Sequence, residues 1–432
     1  MKIVHVMPGS GGSFYCQNCM RDAALVKELC RRGQDAVIAP MYLPTEPGGH
    51  FRNHEGPVFY GAVNVYLKQR FPWLRQAPRW LATALDSHPV LRFAARRAGS
   101  TRASGLEAMT LSVLRGEQGD QQAELDTLVN WLTAEQPDVV HLSNALLLGL
   151  ARRIRQNVNV PLVCTLQDED TWINAMSREG RSAVQDLMAE RAKDVDAFCV
   201  VSESYAEVAA EVLRIGRDRM TVIPLGIDVS AYTPPSTSPP DPPVIGYLSR
   251  MSESLGFGIL VKAFIALKKD RRFRDVRLRA TGGHTGDDRA FLRDVRDELK
   301  LAGLLPYVEI LDQFDARDRP DFLRSLTALS VPVPRGEAFG AYVLEALAAG
   351  VPVVQPRAGA FPEILAVSGG GILVPPDDPG ALADALASLI VDPQRRRALG
   401  MEGAHGVRES FTVQRMAREM LQLYERVRGE AG

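Results

Sequence analysis

The sequence is short of cysteine, of any excess of one charge and of long apolar runs, and each shortage removes a class of protein. Five cysteines (Cys16, Cys19, Cys30, Cys164 and Cys199) among 432 residues are an odd and sparse set. That argues against a disulfide framework and for a reducing compartment, the cytoplasm. Cys16 and Cys19 form a C-x-x-C pair. No second pair accompanies it, so it reads as two reduced thiols rather than a redox or metal centre. Lys plus Arg (51) nearly cancels Asp plus Glu (52), and without a basic excess nucleic acid is excluded as the main ligand. No stretch approaches the ~18 consecutive apolar residues that a membrane span needs. No His, Asp and Glu set has metal-ligand spacing, and no Asp-x-Asp pair stands where it would hold a nucleotide through a divalent ion. His141 and His284 read as ordinary polar positions.

What is present is an ordinary globular composition, 46% apolar and 24% charged. At ~150 residues per domain the length predicts two or three domains. The start, Met1 to Gly9, carries one early positive charge as a signal peptide does. Its apolar run is short, broken by His5 and closed by Pro-Gly-Ser-Gly-Gly, which reads as a strand entering a turn. A helix from Cys16 to Arg32 with Met20, Ala24, Leu25 and Leu29 on one face follows, stopped by Gly33, and Ala36 to Ala39 is the next strand. Further strands are predicted at 137–142, 160–166, 197–202 and 221–224, with a helix near Ala145 to Gln156 and Ser202 placed to cap another. A proline-rich run at 232–243 suits neither helix nor central strand and reads as a linker.

After it the alternation restarts. Strands are expected at 244–247, 276–280, 308–311, 328–331, 351–354 and 371–374, with helices near Gly256 to Lys269, Arg289 to Leu299 and from Ala341. A last helix carries Val413, Met416, Met420, Tyr424 and Val427 on one face. Strand and helix in alternation imply parallel strands with right-handed crossovers. The predicted fold is α/β, two facing doubly wound Rossmann-like domains with the ligand in the cleft between them. The expected division is 1–230, a linker at 231–243, a second domain at 244–410, and a terminal helix at 411–432 crossing back to the first domain.

The stretch 42–126 breaks the alternation and is read as an insertion. Its 68–102 segment holds Lys68, Arg70, Arg75, Arg79, Arg92, Arg96, Arg97 and Arg102 against only Asp86, with Phe71, Trp73, Trp80 and Phe93 interleaved. Two readings stand: an inserted helical pair with a solvated basic face, or a surface for an anionic membrane or a charged acceptor.

The chemistry is concentrated in Arg335-Gly-Glu337-Ala-Phe339-Gly340-Ala341-Tyr342-Val-Leu-Glu345-Ala-Leu-Ala-Ala-Gly350. Glu337 falls in a loop after a strand, Phe339-Gly340 opens a helix, Glu345 lies in its early turns, and Gly350 ends it. A helix N-terminus offers N–H groups and a partial positive charge to a phosphate, and a glycine there lets the backbone come close. Carboxylates on either side can hold hydroxyls.

This stretch resembles the E-x7-E signature of retaining glycosyltransferases of the GT-B fold, specifically family four. The likeness extends over nearly the whole chain through the glycine loop (Gly9, Gly11, Gly12), Ile223-Pro-Leu-Gly226-Ile-Asp228, Gly246-Tyr-Leu-Ser-Arg250, Thr281-Gly282-Gly283 and Gly359-Ala-Phe-Pro362-Glu363. The resemblance implies transfer of a sugar from a nucleotide-sugar (UDP-, GDP- or ADP-sugar) co-substrate to a glycan, lipid-linked or small-molecule acceptor, with no metal and no other cofactor. It implies that Glu337 orients the donor sugar, Glu345 holds the ribose, and Phe339, Gly340, Ala341 and Tyr342 form the diphosphate turn. Arg250 would neutralise the leaving diphosphate, Gly11 and Gly12 would close on it, and Phe314 would lie near the base. Gln167 and Asp168 would stand on the acceptor side, and Glu363 is read as structural.

Two positions depart from the family pattern: Leu255 stands where a lysine is usual, and Gln167 where a histidine is. Arg335 or Arg21 is expected to supply the missing positive charge. The departures also keep alive a non-catalytic, nucleotide-sugar-binding scaffold as the alternative, and phosphorolysis or trehalose-type synthesis on the same fold as a second enzymatic one.

Overall fold

Short apolar runs without a polar partner at every second residue become strands buried on both faces, which is what a parallel sheet covered by helices requires. The computed structural model describes residues 1–9, 17–42, 57–60, 107–232, 240–311 and 315–431. Gly11, Gly12, Phe314, Cys16 and the basic 68–102 segment lie outside the described residues. The strands are β1 (Lys2–Met7), β2 (Asp35–Pro40), β3 (Val139–Leu142), β4 (Leu162–Leu166), β5 (Ala197–Val200) and β6 (Met220–Val222), then β7 (Val244–Leu248), β8 (Arg277–Thr281), β9 (Val308–Ile310), β10 (Ala328–Leu329), β11 (Val353–Pro356) and β12 (Gly371–Val374). They form two six-stranded sheets in the orders β2-β1-β3-β4-β5-β6 and β12-β11-β10-β7-β8-β9. Every strand pairing is parallel.

In each sheet the strand order reverses once. The chain leaves β1 for β2 on one side and returns to β3 on the other; it leaves β7 for β8 and β9 and returns to β10. Helices that leave two neighbouring strands toward opposite faces part there, so the carboxyl ends of β1 and β3, and of β7 and β10, are where such a sheet binds ligands.

The chain divides into two compact units. One comprises β1, Asn18–Pro224 and Met416–Gly432; the other comprises Leu225–Arg415. Within the second, Ile227 bridges to Thr412, and Arg408 donates to the carbonyls of Ala348 (3.1 Å) and Tyr232 (2.5 Å). Among the described residues, Cys19, Cys30, Cys164 and Cys199 are not joined in disulfides. No described helix is long and apolar enough to cross a membrane.

The expected α-helix from Ala145 is tighter at its start. Residues Ala145–Leu150 form a 3₁₀ segment, whose cap Asn144 accepts the Leu146 N–H at 3.0 Å, and α-helical geometry begins at Ala151. Ser202 does cap the helix Glu203–Leu213, accepting the Tyr205 N–H at 3.1 Å.

His141 is no ordinary polar position. It is fully buried on β3, with Nδ1 2.5 Å from the Tyr424 hydroxyl and Nε2 2.7 Å from Thr165 Oγ1. Burial and the neighbouring His5 keep its imidazole well below the usual pKa, so it stays neutral. Tyr424 belongs to the last helix, Val413–Ala431, and its hydroxyl is the polar tie between that helix and β3. Tyr424→Phe leaves the imidazole short of a buried partner. We expect it to cost about 1–3 kcal/mol and lower the melting temperature by ~2–4 °C per kcal/mol, read by calorimetry.

Candidate functional site

The loops after β7 and β10 flank the second reversal and carry Arg250 and Glu337. Arg250 stands two residues beyond β7. Tyr247, buried on that strand, sets the loop: its hydroxyl lies 3.0 Å from the Arg250 carbonyl and 3.2 Å from that of Leu255. Burial, followed by the nearby charge of Glu337, lifts the Tyr247 pKa well above its ordinary value, so the phenol keeps its proton. Arg250 acts on the same phenol in the opposite direction. The Arg250 side chain is about a third exposed (31%), and its Nε sits 3.8 Å from Asp288 Oδ2. Among the described residues that Nε has no hydrogen-bond partner. Asp288 is itself engaged, closing a capping box with Thr285.

Glu337 is half-buried and accepts the Tyr342 hydroxyl at 2.8 Å. Tyr342, expected to contribute through its backbone, therefore also aims a side chain at the carboxylate. The helix Ala341–Ala348 begins at Gly340, whose φ of +104° lies where side chains are disfavoured. A Cβ at that position would stand 2.8 Å from Phe361 Cε1. The first N–H groups of such a helix have no carbonyl within the helix to bond, and here that of Ala341 donates to Gln17 Oε1 at 2.7 Å. Phe339 is buried, its ring edge-on to Phe411 with centroids 6.0 Å apart.

Glu345 is 3% exposed, against the expectation for a lone glutamate on a helix. It accepts the Tyr232 hydroxyl at 2.8 Å and pairs with Arg319. Burial and that carboxylate push the Tyr232 pKa well up, so Tyr232 remains a donor. Glu345 thus has its own partners. Arg335 is exposed, and Leu255, in the usual lysine position, is half-buried. Neither Tyr232 nor Arg319 could be tied to Glu345 by sequence spacing. The Tyr342 hydroxyl and the Tyr247 anchor lay inside quoted motifs, but nothing in the spacing marked either side chain.

In the first unit Gln167 and Asp168 follow β4. Gln167 is 1% exposed. Arg21 is not available as a loose cation. It is 5% exposed, its Nη2 lies 2.6 Å from Asp22 Oδ1, and it donates to Gln167 Oε1 (2.7 Å) and the Ser143 carbonyl (2.9 Å). Burial opposes the charge on Asp22, but the Arg21 guanidinium, His5 and Ser143 hold its carboxyl well below the usual carboxylate range. Asp168 is half-buried, with a φ of +63° that aspartate tolerates better than most residues. It is the N-cap of the helix Glu169–Asn174, though its side chain does not make the capping hydrogen bond. The Glu169 N–H goes instead to the Tyr205 hydroxyl at 2.8 Å.

Glu169 is buried, accepting the Ala145 N–H (2.9 Å) and the Tyr205 hydroxyl (2.7 Å). Burial outweighs both bonds and pushes its pKa up to about 7. The folded state therefore holds this proton more tightly than the unfolded chain does. The associated stability is present below the unfolded value and lost as pH rises through about 7. Glu169→Gln should narrow the difference in melting temperature between about pH 5 and about pH 8. Gly340→Ala, forced against Phe361, should lower the melting temperature and weaken nucleotide binding together, as seen by calorimetry and titration.

Comparison with known proteins follows the two sheets. A Glycosyltransferase Family 4 model matches residues 111–231, and a Glycosyl transferases group 1 model matches residues 242–392. The D-inositol 3-phosphate glycosyltransferase of Stackebrandtia nassauensis is 28% identical over 343 residues, covering 74% of this chain and 72% of that protein. The alignment with the enzyme of the same name from Xylanimonas cellulosilytica, at 29% identity, covers 53% of this chain and 56% of that relative's length. Sucrose-phosphate synthase from Thermosynechococcus elongatus superposes over 100% of both chains with a TM-score of 0.74 at 18% identity. Anabaena HepE, solved in complex with UDP, superposes over 98% of this chain and 100% of its own with a TM-score of 0.69 at 16% identity. Each unit thus matches a glycosyltransferase model, and the architecture of the two sheets is the GT-B fold.

Proposed function

We propose that the protein transfers a sugar from a nucleotide-sugar donor to a hydroxyl-bearing acceptor, with retention at the anomeric carbon. The observation that carries this reading is that the loops at the carboxyl ends of β7 and β10, the strands that flank the second reversal, carry Arg250 and Glu337, with the Gly340 helix start three residues after Glu337. A diphosphate on that N-terminus gains from the helix dipole and from the guanidinium of Arg250. Glu337, steadied by Tyr342, is placed to accept hydrogen bonds from sugar hydroxyls. Glu345, with Tyr232 and Arg319, is the group we assign to the ribose. UDP is the first base to test, because HepE was solved with UDP and with UDP-glucose. The acceptor is a glycan, a lipid-linked sugar or a small polyol; the inositol phosphate in the relatives' names belongs to the last class.

In the reaction the bond between the anomeric carbon and the diphosphate oxygen breaks, and the acceptor oxygen bonds to that carbon on the same face. The acceptor proton passes to the departing phosphate oxygen. We assign no nucleophilic carboxylate to this step. Charge that grows on the leaving diphosphate is met by Arg250 and by Arg335, the exposed cation beside Glu337, in place of the lysine replaced by Leu255. These groups make the transfer independent of added metal. The described cysteines, Cys19, Cys30, Cys164 and Cys199, none of them in a disulfide, suit a reducing cytoplasm.

The test is turnover of UDP-sugars by the whole chain. Arg250→Ala and Arg335→Ala should each lower kcat by ~10- to 150-fold, the worth of one charge-assisted contact made in the transition state. Glu337→Gln should lower kcat/KM, and a chelator should leave turnover unchanged. A trapped glycosyl-enzyme adduct would replace same-face attack with a two-step route. Tight binding of UDP-sugars without turnover under any acceptor would make the protein a binder instead.

A further inference from the structure

At the first reversal, the carboxyl ends of β1, β3 and β4 carry a buried polar chain that the proposed donor site does not use. Asp22 is fully buried and sits 2.6 Å from Arg21 Nη2 and 3.3 Å from His5 Nε2, and it accepts the Ser143 hydroxyl. Arg21 in turn donates through Nη1 to Gln167 Oε1 at 2.7 Å. That bond decides which way the Gln167 amide faces. Were the amide turned over, its NH₂ would confront the guanidinium, two donors with no acceptor between them. Oε1 is therefore committed to Arg21, and Nε2 points away from it. Among the described residues Nε2 has no hydrogen-bond partner, although the side chain is only 1% exposed.

An orphaned buried donor costs roughly 1–3 kcal/mol, so it calls for a partner that the chain itself does not supply. The ligand must offer an oxygen acceptor. Arg21 is already neutralised by Asp22, so the surroundings hold little net positive charge to attract an anion. A neutral amide donor in a charge-compensated setting suits a hydroxyl oxygen better than a phosphate.

We propose that Arg21 is a positioning residue: anchored on Asp22, it fixes Gln167 so that the amide NH₂ is presented to a hydroxyl oxygen of a carbohydrate or polyol. If the chain is the transferase proposed above, that hydroxyl belongs to the acceptor; the subsite itself rests on the geometry of the first unit alone.

The experiment follows the side-chain amide of Gln167 in the full chain labelled with ¹⁵N at glutamine, its resonance assigned by its loss in Gln167→Met. Adding myo-inositol or D-glucose should shift that resonance saturably, while inorganic phosphate should not. No shift with either polyol, or the same shift with phosphate, overturns the proposal. Arg21→Met combined with Asp22→Asn removes the guanidinium together with its buried partner charge, and should abolish the polyol response while the resonance persists. A response that survives in this double variant refutes the positioning role. In the transfer assay with UDP-glucose, Gln167→Met and Gln167→Glu, which keeps the contact to Arg21 but loses the donor, should each lower kcat/KM for the acceptor by about 5- to 10-fold. Unchanged acceptor kinetics in both would count against it. A wild-type chain that shows the polyol shift but neither binds nor turns over UDP-glucose would refute the transferase reading and leave the subsite standing.

Discussion

Where a parallel sheet reverses its strand order, two helices depart to opposite faces and leave strand ends that no crossover covers. Both units of this protein are organised by that geometry. Around the uncovered ends the chain concentrates groups that elsewhere would be costly to bury: Arg21, Asp22 and Gln167 in one unit, Tyr247, Arg250 and Glu337 in the other. The backbone there does not form a continuous ladder. Side chains must complete it, as the Tyr247 hydroxyl does for the carbonyls of Arg250 and Leu255.

Charge is kept in close account at these ends. Glu345 is matched by Arg319 and Tyr232, and Asp22 by Arg21, His5 and Ser143. Glu169 accepts from the neutral Ala145 N–H and Tyr205 hydroxyl, and burial outweighs both, so its proton is held more firmly than an ordinary carboxyl holds one. Arg250 is the contrast, with a distant carboxylate and an Nε lacking a hydrogen bond among the described residues.

Strand and helix alternation was readable because both depend on local pattern: apolar runs gave β1, β3 and β4 within a few residues of their ends, and Gly340 marked a helix start. The stretch from Ala145 shows the boundary of that approach, since helical spacing alone does not separate 3₁₀ from α geometry. Glu337, Glu345 and Arg250 were legible through motif resemblance. Their partners were not, because Tyr232 and Glu345 lie 113 residues apart and only the folded backbone brings them together. Arg21 was seen as a spare cation for the same reason: nothing local reveals that Asp22, its neighbour in sequence, also consumes its charge in space.

The membership of Met416–Gly432 in the unit that begins at β1 has a bearing on how the molecule is made. The imidazole of His141 is sealed by a tyrosine that emerges from the ribosome nearly three hundred residues later. The amino-terminal half is thus obliged to wait, partly unsealed, through translation of everything between. Its core around His141 can close only when the helix that carries Tyr424 has been made.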